Sequence, residues 1–456
     1  MACNTTLNRL LSKPLARSFG LSSVALTSLV ACAALAAPRN QSPLNALALD
    51  AAAARVEALY EQLHRNPELS NQEAQTSARL AEELRQLGYD VHVGIGGYGV
   101  VGILKNGPGK TLLLRTDTDA LPIAEETGVS FASRVRAPDA AGNEVPVMHA
   151  CGHDLHMAAW VGSADYLSKH RTLWSGTLLL VAQPAEEKLS GARAMLKDGL
   201  LTRFPRPDMA FAIHVHDQLP LGSVGYTVGP FAASADSIDL VVHGRGGHGA
   251  YPQYTVDPIV ISSRIVLALQ TIVSRENDPF DPVVVSVGSF HGGTKHNSIP
   301  ESVKLELTVR TYRPTTRTRV LAAISRIANA EAVAAGAETA PTITISEGTA
   351  TAVSDPALTR RLVTGLSTGL ADQVFVELPP EMGSEDFSEY ARAGVPSVML
   401  QVGVAAPDRV AASKQGGPAP TPIHSGGFLP TRPGSLRTAM LVEISAALTL
   451  LPAPPR

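Results

Sequence analysis

Cysteine is almost missing from this chain. Three occur in 456 residues, and two of them, Cys3 and Cys32, fall in the first 37. Cys151 is then the single thiol of the remainder, so no disulfide within that remainder staples the fold, whatever the redox compartment. An excess of charge of one sign is missing too. Thirty-eight basic residues against 41 acidic ones leave a net charge of −3, with no basic face for a polyanion, and this excludes a nucleic-acid partner. Internal repeats are absent. What is there is 45% hydrophobic and 17% charged, the composition of a globular protein, in a chain too long for one hydrophobic core to serve; at least two domains are expected.

The first residues differ from the rest. Arg9, Lys13 and Arg17 precede the apolar run from Phe19 to Ala36, which small residues and Pro38 follow. Charged region, hydrophobic region and small residues make the pattern of a secretory signal peptide over 1–37. Two cleavage readings stand side by side. Ala34-Leu35-Ala36 fits a small-residue signal-peptidase site, and Leu29-Val30-Ala31-Cys32 fits a bacterial lipobox that would lipidate Cys32. The expected location is the bacterial periplasm or envelope, with a membrane contact only through such a lipid anchor.

The chain is organised around Val147 to Trp160, V-M-H-A-C-G-H-D-L-H-M-A-A-W, which places His149, Cys151, His153, Asp154 and His156 within eight positions. Thiolate, imidazole and carboxylate at that density are the ligands of a zinc-like transition metal. The competing reading is a helix start capped by Asp154.

Helical apolar spacing covers Leu47 to Arg65 and Glu73 to Leu87, with Gly88 as the C-cap of the second. Short apolar runs at Val100–Leu104, Thr111–Leu114, Thr177–Ala182 and Met209–Ile213 alternate with helical segments at Ala158–Leu167 and Ala192–Leu200, which indicates an α/β sheet. Polar clusters begin where the runs stop: Arg115 to Asp119, Gln183 to Glu187, and His214. Open α/β sheets place their sites at the carboxyl ends of strands, so these stretches are expected in one crevice. Gly94-Ile95-Gly96-Gly97-Tyr98-Gly99 has the dinucleotide-binding spacing, but it leads into a strand and has no helix N-terminus to receive a pyrophosphate; it is expected to be a turn between strands.

From Ser234 the order becomes β-α-β-β-α-β, with strands at Ser237–Val242, Val283–Ser289, Val303–Thr311 and Thr342–Ser346 and helices at Pro258–Arg275 and Arg317–Ala335. It suggests a small α+β sandwich inserted in the first domain. The chain then returns with a helix at Pro356–Leu370, a strand at Ser397–Val402 and a last helix around Ser435–Leu450. The expected organisation is a catalytic domain from 47–232 and 347–452, with an inserted lid or dimerisation domain at 233–346.

At this point the residues resemble a family. RTDTDALP, MHACGHDLHM, QPAEE, AIHVHD, GRGGHGAYP, HNSIPE, MGSEDF and PIHSGGF occur in the order found in metallo-amidohydrolases. That family includes the hippurate hydrolases, the auxin-amino acid conjugate hydrolases and the N-acyl amino acid amidohydrolases, relatives of the aminoacylases and dinuclear zinc carboxypeptidases. The resemblance covers nearly everything after Leu47. It implies an α/β fold with a large dinuclear-metal domain around a central mixed sheet, plus the inserted α+β sandwich. It implies two divalent ions per subunit, zinc, manganese or cobalt, on Cys151 (bridging), His153, Glu187, His214 and His424, with Glu186 as general base. It implies a homodimer through the inserted domain, with His248 reaching the substrate carbonyl of the partner subunit. Asn297 and Arg310 are similar to positions that grip the substrate carboxylate, and Asp117 and Asp386 to residues that orient the ligands.

The residues themselves are consistent with these roles. A carboxylate next to a ligand but not one itself suits a general base, and glycine on both sides of His248 permits a close approach. Without the resemblance, Glu186 and Glu187 read as solvated glutamates at a strand end, His248 as an exposed loop residue, and Asn297 and Arg310 as a turn former and a surface strand residue. Three departures from the pattern stand out. Arg115 occupies the place of an aminoacylase histidine, Leu155 the place of a glycine, and Val215-His216-Asp217 the place of an aromatic and a proline. The last departure makes His216 a competitor of His214. The expected activity is hydrolysis of an N-acyl amino acid to a carboxylic acid and an amino acid. The alternatives are a dipeptidase or carboxypeptidase and, in another class, a non-catalytic solute- or metal-binding envelope protein.

Overall fold

The computed structural model describes residues 46–370 and 373–454. Both cleavage readings of the leader, with Cys3 and Cys32, lie outside the described residues.

Eight strands form the large sheet, in the order Asp90–Ile95, Gly99–Asn106, Gly176–Gln183, Thr111–Asp117, Met209–Pro220, Ser397–Ala405, Ser223–Tyr226 and Val374–Glu377. The four in the middle, from Gly176–Gln183 to Ser397–Ala405, run parallel, and the strand on either side, Gly99–Asn106 and Ser223–Tyr226, joins them antiparallel. The middle strands read as continuous apolar runs because both faces are covered. Leu112, Leu114, Leu178, Leu180, Phe211 and Ile213 enter one core with the helices Ala46–Arg65, His153–Lys169 and Gly434–Leu450. Their alternates Leu113, Leu179, Val181, Ala210 and Ala212 enter another with Met195, Phe387 and Tyr390. His153–Lys169 is buried from end to end up to Leu167, and its polar residues His153, Asp154, His156, Ser163 and Asp165 are buried with the apolar ones.

Two expectations about strand ends are corrected. The strand Thr111–Asp117 carries Arg115 and Asp117 inside it, and the strand Met209–Pro220 runs on through His214 and His216. An apolar run ends where its residues stop needing hydrocarbon, whereas the ladder continues as long as buried polar side chains satisfy one another. The crevice is nevertheless where the apolar runs pointed, because pairing between these two strands stops at Arg115 and Ala212. The glycine-rich 94–99 segment is the expected turn, joining the antiparallel strands Asp90–Ile95 and Gly99–Asn106.

A second, four-stranded antiparallel sheet has the order Val283–His291, Ser302–Thr311, Ser234–His243 and Thr342–Thr349. Its strands alternate in burial, most regularly in Ser302–Thr311. The buried side packs with the helices Pro258–Thr271 and Pro314–Ala334 into a separate cluster around Leu240, Ile265, Leu305 and Ile324. The first of these helices stops at Thr271, short of the expected Arg275, and a π-helical turn continues to Glu276.

Candidate metal centre

Two strand ends, the middle of the strand Met209–Pro220 and one helix start meet at the crevice. Gly152 has φ +81° and begins the helix His153–Lys169; a Cβ on it would stand 2.8 Å from Val215 Cγ2, so only glycine lets the Cys151–His153 segment lie this close to the strand of His214. The loop after Gly176–Gln183 supplies Glu186 and Glu187. His424 comes from the far end of the chain with φ +58°, its N–H donating to the Ala150 carbonyl at 2.8 Å.

Cys151 Sγ lies at the meeting point, 3.4 Å from His214 Nε2 and 3.2 Å from His424 Nε2. Glu187 Oε1 is 3.5 Å from His424 Nε2 and 3.9 Å from His153 Nε2. Two triplets of donor atoms therefore share the thiol: Cys151, His153 and His214, and Cys151, Glu187 and His424. The tautomers suit such a role. His153 Nδ1 faces the Asp119 carbonyl at 2.8 Å and His214 Nδ1 the Val215 carbonyl at 2.7 Å, which turns both Nε2 atoms toward Cys151. His153 Nε2 and Glu187 Oε1 are buried with no hydrogen-bond partner, an arrangement too costly for a folded protein unless something else meets those atoms. Burial opposes charge on His153, yet Asp117, Asp119 and Glu187 raise its pKa to about 10, so the spot favours positive charge. Thiolate, imidazole and carboxylate around such a spot fit divalent metal ions.

Behind the donors is a buried polar network. Arg115 is 1% exposed; it donates to Asp117 Oδ2 at 2.7 Å, Gln183 Oε1 at 3.1 Å, Glu385 Oε1 at 3.0 Å and Asp386 Oδ1 at 3.4 Å. Asp117 Oδ1 meets His156 Nδ1 at 2.7 Å, and the Val215 N–H donates to His156 Nε2 at 2.9 Å. With Nε2 accepting, Nδ1 must carry the proton, so His156 is the neutral tautomer; burial first of all lowers its pKa, to about 4. Asp386 Oδ2 accepts the Ala192 N–H at 2.9 Å and Oδ1 the Gln183 amide at 2.6 Å. Asp117 and Asp386 thus tie strand and loop together.

Glu186 is 6% exposed, next to the donor group on one side and to Glu385 and Asp386 on the other. Burial, then Glu385 and Glu187, hold its pKa well above the usual carboxylate range. It opens on a cavity of about 400 Å³ whose wall also includes Cys151, Glu187, His214, His424 and Arg310. Arg310 donates to Ser384 Oγ and, at 3.3 Å, to Thr308 Oγ1. Its pKa is lowered by burial alone, and no carboxylate pairs with it among the described residues. His216 lies on the same side of its strand as His214 but is 3.7 Å from Glu381, away from the thiol. Proximity to Cys151, rather than the strand end, separates the two histidines.

His248 and Asn297 are not brought to this cavity. They are exposed, on paired two-residue strands Gly247–His248 and Ser298–Ile299 and the turn before the second, where the Gly249 N–H donates to the Asn297 carbonyl at 2.8 Å. Sequence reasoning missed the support: Asp119, His156 and Glu385 were in recognised motifs, but nothing local to Arg115 announces that its partners lie 270 residues on.

Similarity to known proteins agrees with this centre. The model of peptidase family M20/M25/M40 matches residues 113–415. The chain is 39% identical over 332 residues to thermostable carboxypeptidase 2 of Saccharolobus solfataricus, covering 72% of this chain and 80% of that one. It is 37% identical to the IAA-amino acid hydrolase ILR1-like 2 of Arabidopsis thaliana, covering 72% of each. Among solved structures, the Bacillus subtilis YXEP protein, described as a dinuclear metal binding peptidase, superposes with a TM-score of 0.72 at 27% identity over 88% of this chain and 99% of its own.

Proposed function

This chain belongs to the peptidase family M20/M25/M40 and is an amide-bond hydrolase, and from that premise we propose that its substrates are N-acyl amino acids, cleaved to a carboxylic acid and a free amino acid. The single observation that carries the reading is Arg310: a half-buried guanidinium with no acidic partner among the described residues, in the same cavity as Glu186. An unpaired guanidinium there is a site for a substrate carboxylate, which it binds in bidentate fashion.

Cys151, His153 and His214 would hold one divalent ion and Cys151, Glu187 and His424 the other. When bound, such ions polarise a carbonyl and acidify water. The chain's own residues do the rest. Arg310 fixes the amino acid end of the substrate and so sets where the scissile carbon falls. Glu186, buried beside the donor group, takes a proton from the attacking water at its carboxylate and returns it to the amide nitrogen as the C–N bond breaks. In a homodimer built through the 233–346 insert, which we propose as the assembly, the exposed pair His248 and Asn297 would serve another copy of the chain. Export rests on the leader pattern of 1–37, and zinc, manganese or cobalt would satisfy the donor set.

Short peptides are the second reading. It is favoured by Asp217 and Glu381 in the cavity wall, which would face the α-ammonium of a peptide but have nothing to pair with in a neutral acyl group. The test is release of free amino acid by the purified chain from N-acyl amino acids, their carboxyamides and dipeptides, before and after chelation and metal restoration. N-acyl amino acids are expected to outrun both other sets, with activity lost on chelation and regained with metal. Equal rates on the carboxyamides would remove Arg310 from recognition, and faster dipeptide turnover would replace the first reading by the second.

A further inference from the structure

The loop between the strand Gly176–Gln183 and the helix Gly191–Lys197 sends two adjacent carboxylates to different tasks, and its backbone is unusual. Ala185 has φ +52° and Leu189 φ +50°, in the left-handed region that L side chains avoid. A Cβ on Gly191 would stand 1.5 Å from the Pro184 carbonyl oxygen, so the loop closes only with glycine there. Inside it, the Leu189 N–H donates to the Glu186 carbonyl at 2.6 Å, and the Ser190 and Gly191 N–H groups to the Ala185 carbonyl at 3.2 Å each. The Ala185 N–H goes elsewhere. It donates to Glu73 Oε1 at 2.8 Å, across 112 residues.

Glu73 sits at the N-cap of the helix Ala74–Gln86, yet its side chain makes no bond to that helix end. The end is served by Glu68, which accepts from the Gln75 and Thr76 N–H groups at 3.1 and 2.8 Å. A second carboxylate thus frees Glu73 from the local task, although Glu73 is 0% exposed and burying a carboxyl is expensive without a structural return. Two residues along the loop, the Glu187 N–H is held in the same way by Asp119 Oδ2 at 2.9 Å. The N–H groups on either side of Glu186 are therefore clamped by carboxylates from outside the loop, while Glu186 faces the cavity.

We propose that Glu73 is a positioning residue for the hydrolysis: by accepting the Ala185 N–H it holds the residue before Glu186 left-handed, and so sets the directions in which the Glu186 and Glu187 side chains leave the loop. This rests on the roles given to Glu186 and Glu187 above. Reach, not charge, is what the role needs.

Two variants of the full chain separate them. Glu73→Gln keeps the reach and the acceptor oxygen but loses the charge; Glu73→Asp keeps the charge and falls one methylene short. Hydrogen exchange of a peptide covering 184–191, measured on metal-free protein, is expected to match the parent in Glu73→Gln and to speed up about tenfold in Glu73→Asp, with peptides from the large sheet unchanged. On an N-acyl amino acid, kcat is expected to stay within about twofold in Glu73→Gln and to fall on the order of 10²-fold in Glu73→Asp with KM unchanged. That fall should shrink in an Ala185→Gly background, where a left-handed residue costs little. Unchanged exchange in Glu73→Asp, or faster exchange in Glu73→Gln, overturns the proposal. Should Glu73→Asp not fold, Glu73→Gln decides alone: parental exchange and kcat support the role and a loss of either overturns it. A parent chain that releases no amino acid from any substrate defeats the hydrolase reading instead, and the exchange result is then read by itself.

Discussion

His153 and His248 stand for two regions that this protein builds in opposite ways. His153 is fully buried at a helix start, with one ring nitrogen fixed 2.8 Å from a backbone carbonyl and the other aimed among carboxylates and a thiol. His248 is exposed on a two-residue strand between glycines, with its Nδ1 accepting only the nearby Ala250 N–H at 3.0 Å. In the first region the donors come together from one chain, and His153 and His214 are each turned by a backbone carbonyl on Nδ1. The second presents its residues outward. Rigid support belongs where atoms must be held to a fraction of an ångström, and an exposed glycine turn belongs where a surface must be met.

The sharpest test of the buried region is Glu186→Gln. Loss of the proton acceptor is expected to lower kcat by about 10² to 10⁴ while both metal equivalents remain, measured by amino acid release together with elemental analysis; a mutant of near-parental rate would take Glu186 out of the mechanism. Next comes Arg115→Met. It leaves Asp117, Glu385 and Asp386 buried around a missing cation, and a loss of roughly 3–5 kcal/mol is expected in urea unfolding of the metal-free protein. The matching change in the other region is Arg245→Ala. Its ion pair with Glu338 is more than half exposed on both sides, so its loss should stay within about 0.5 kcal/mol. Equal losses from the two arginines would break the comparison.

A third test uses pH. His64 has Asp154 Oδ2 at 2.6 Å on Nδ1 and Glu125 Oε1 at 2.9 Å on Nε2. Burial opposes its charge, but the two carboxylates win and raise its pKa from 6.5 to about 10. A folded-state pKa above the unfolded one means stability that is fully present below about 6.5 and lost as the pH climbs toward 10. Unfolding free energy should therefore fall over that interval, and more steeply than in His64→Gln. Parallel curves for the two proteins would show that His64 is not charged in the fold.

What the sequence made legible follows the same division. Cys151, His153 and His156 are crowded into one stretch because a helix start delivers neighbours in sequence to one place, and period-2 and period-3.6 patterns located the sheet and its helices. Pairing across the chain was not legible from any local pattern. His424 joins Cys151 over 273 residues and was found only through its motif. Arg115 and Asp117 appeared to follow a strand because they are polar; they lie inside it because they satisfy one another. Glu73, on a helix that looked merely amphipathic, gives no local sign of the N–H it accepts at Ala185. Burial turns such long-range polar contacts into structure, and burial is what a linear pattern of polar residues conceals.

The smallest effect is expected from the exposed region, and it is the most informative about assembly. His248→Ala removes a side chain that makes no long-range bond among the described residues, so stability should change by less than about 0.5 kcal/mol. If His248 serves the cavity of another copy, kcat should still fall by about tenfold or more, up to the roughly 10²- to 10³-fold cost of losing one donor at a developing oxyanion. Mixing then decides the matter. A Glu186→Gln chain has a parental His248 but no proton acceptor, and a His248→Ala chain has the reverse, so a mixed dimer contains one cavity with both groups intact. Activity above the sum of the two separate proteins places His248 across an interface. Simple additivity places any loss within the chain itself, and the glycine turn would then have to swing toward its own cavity for His248 to act.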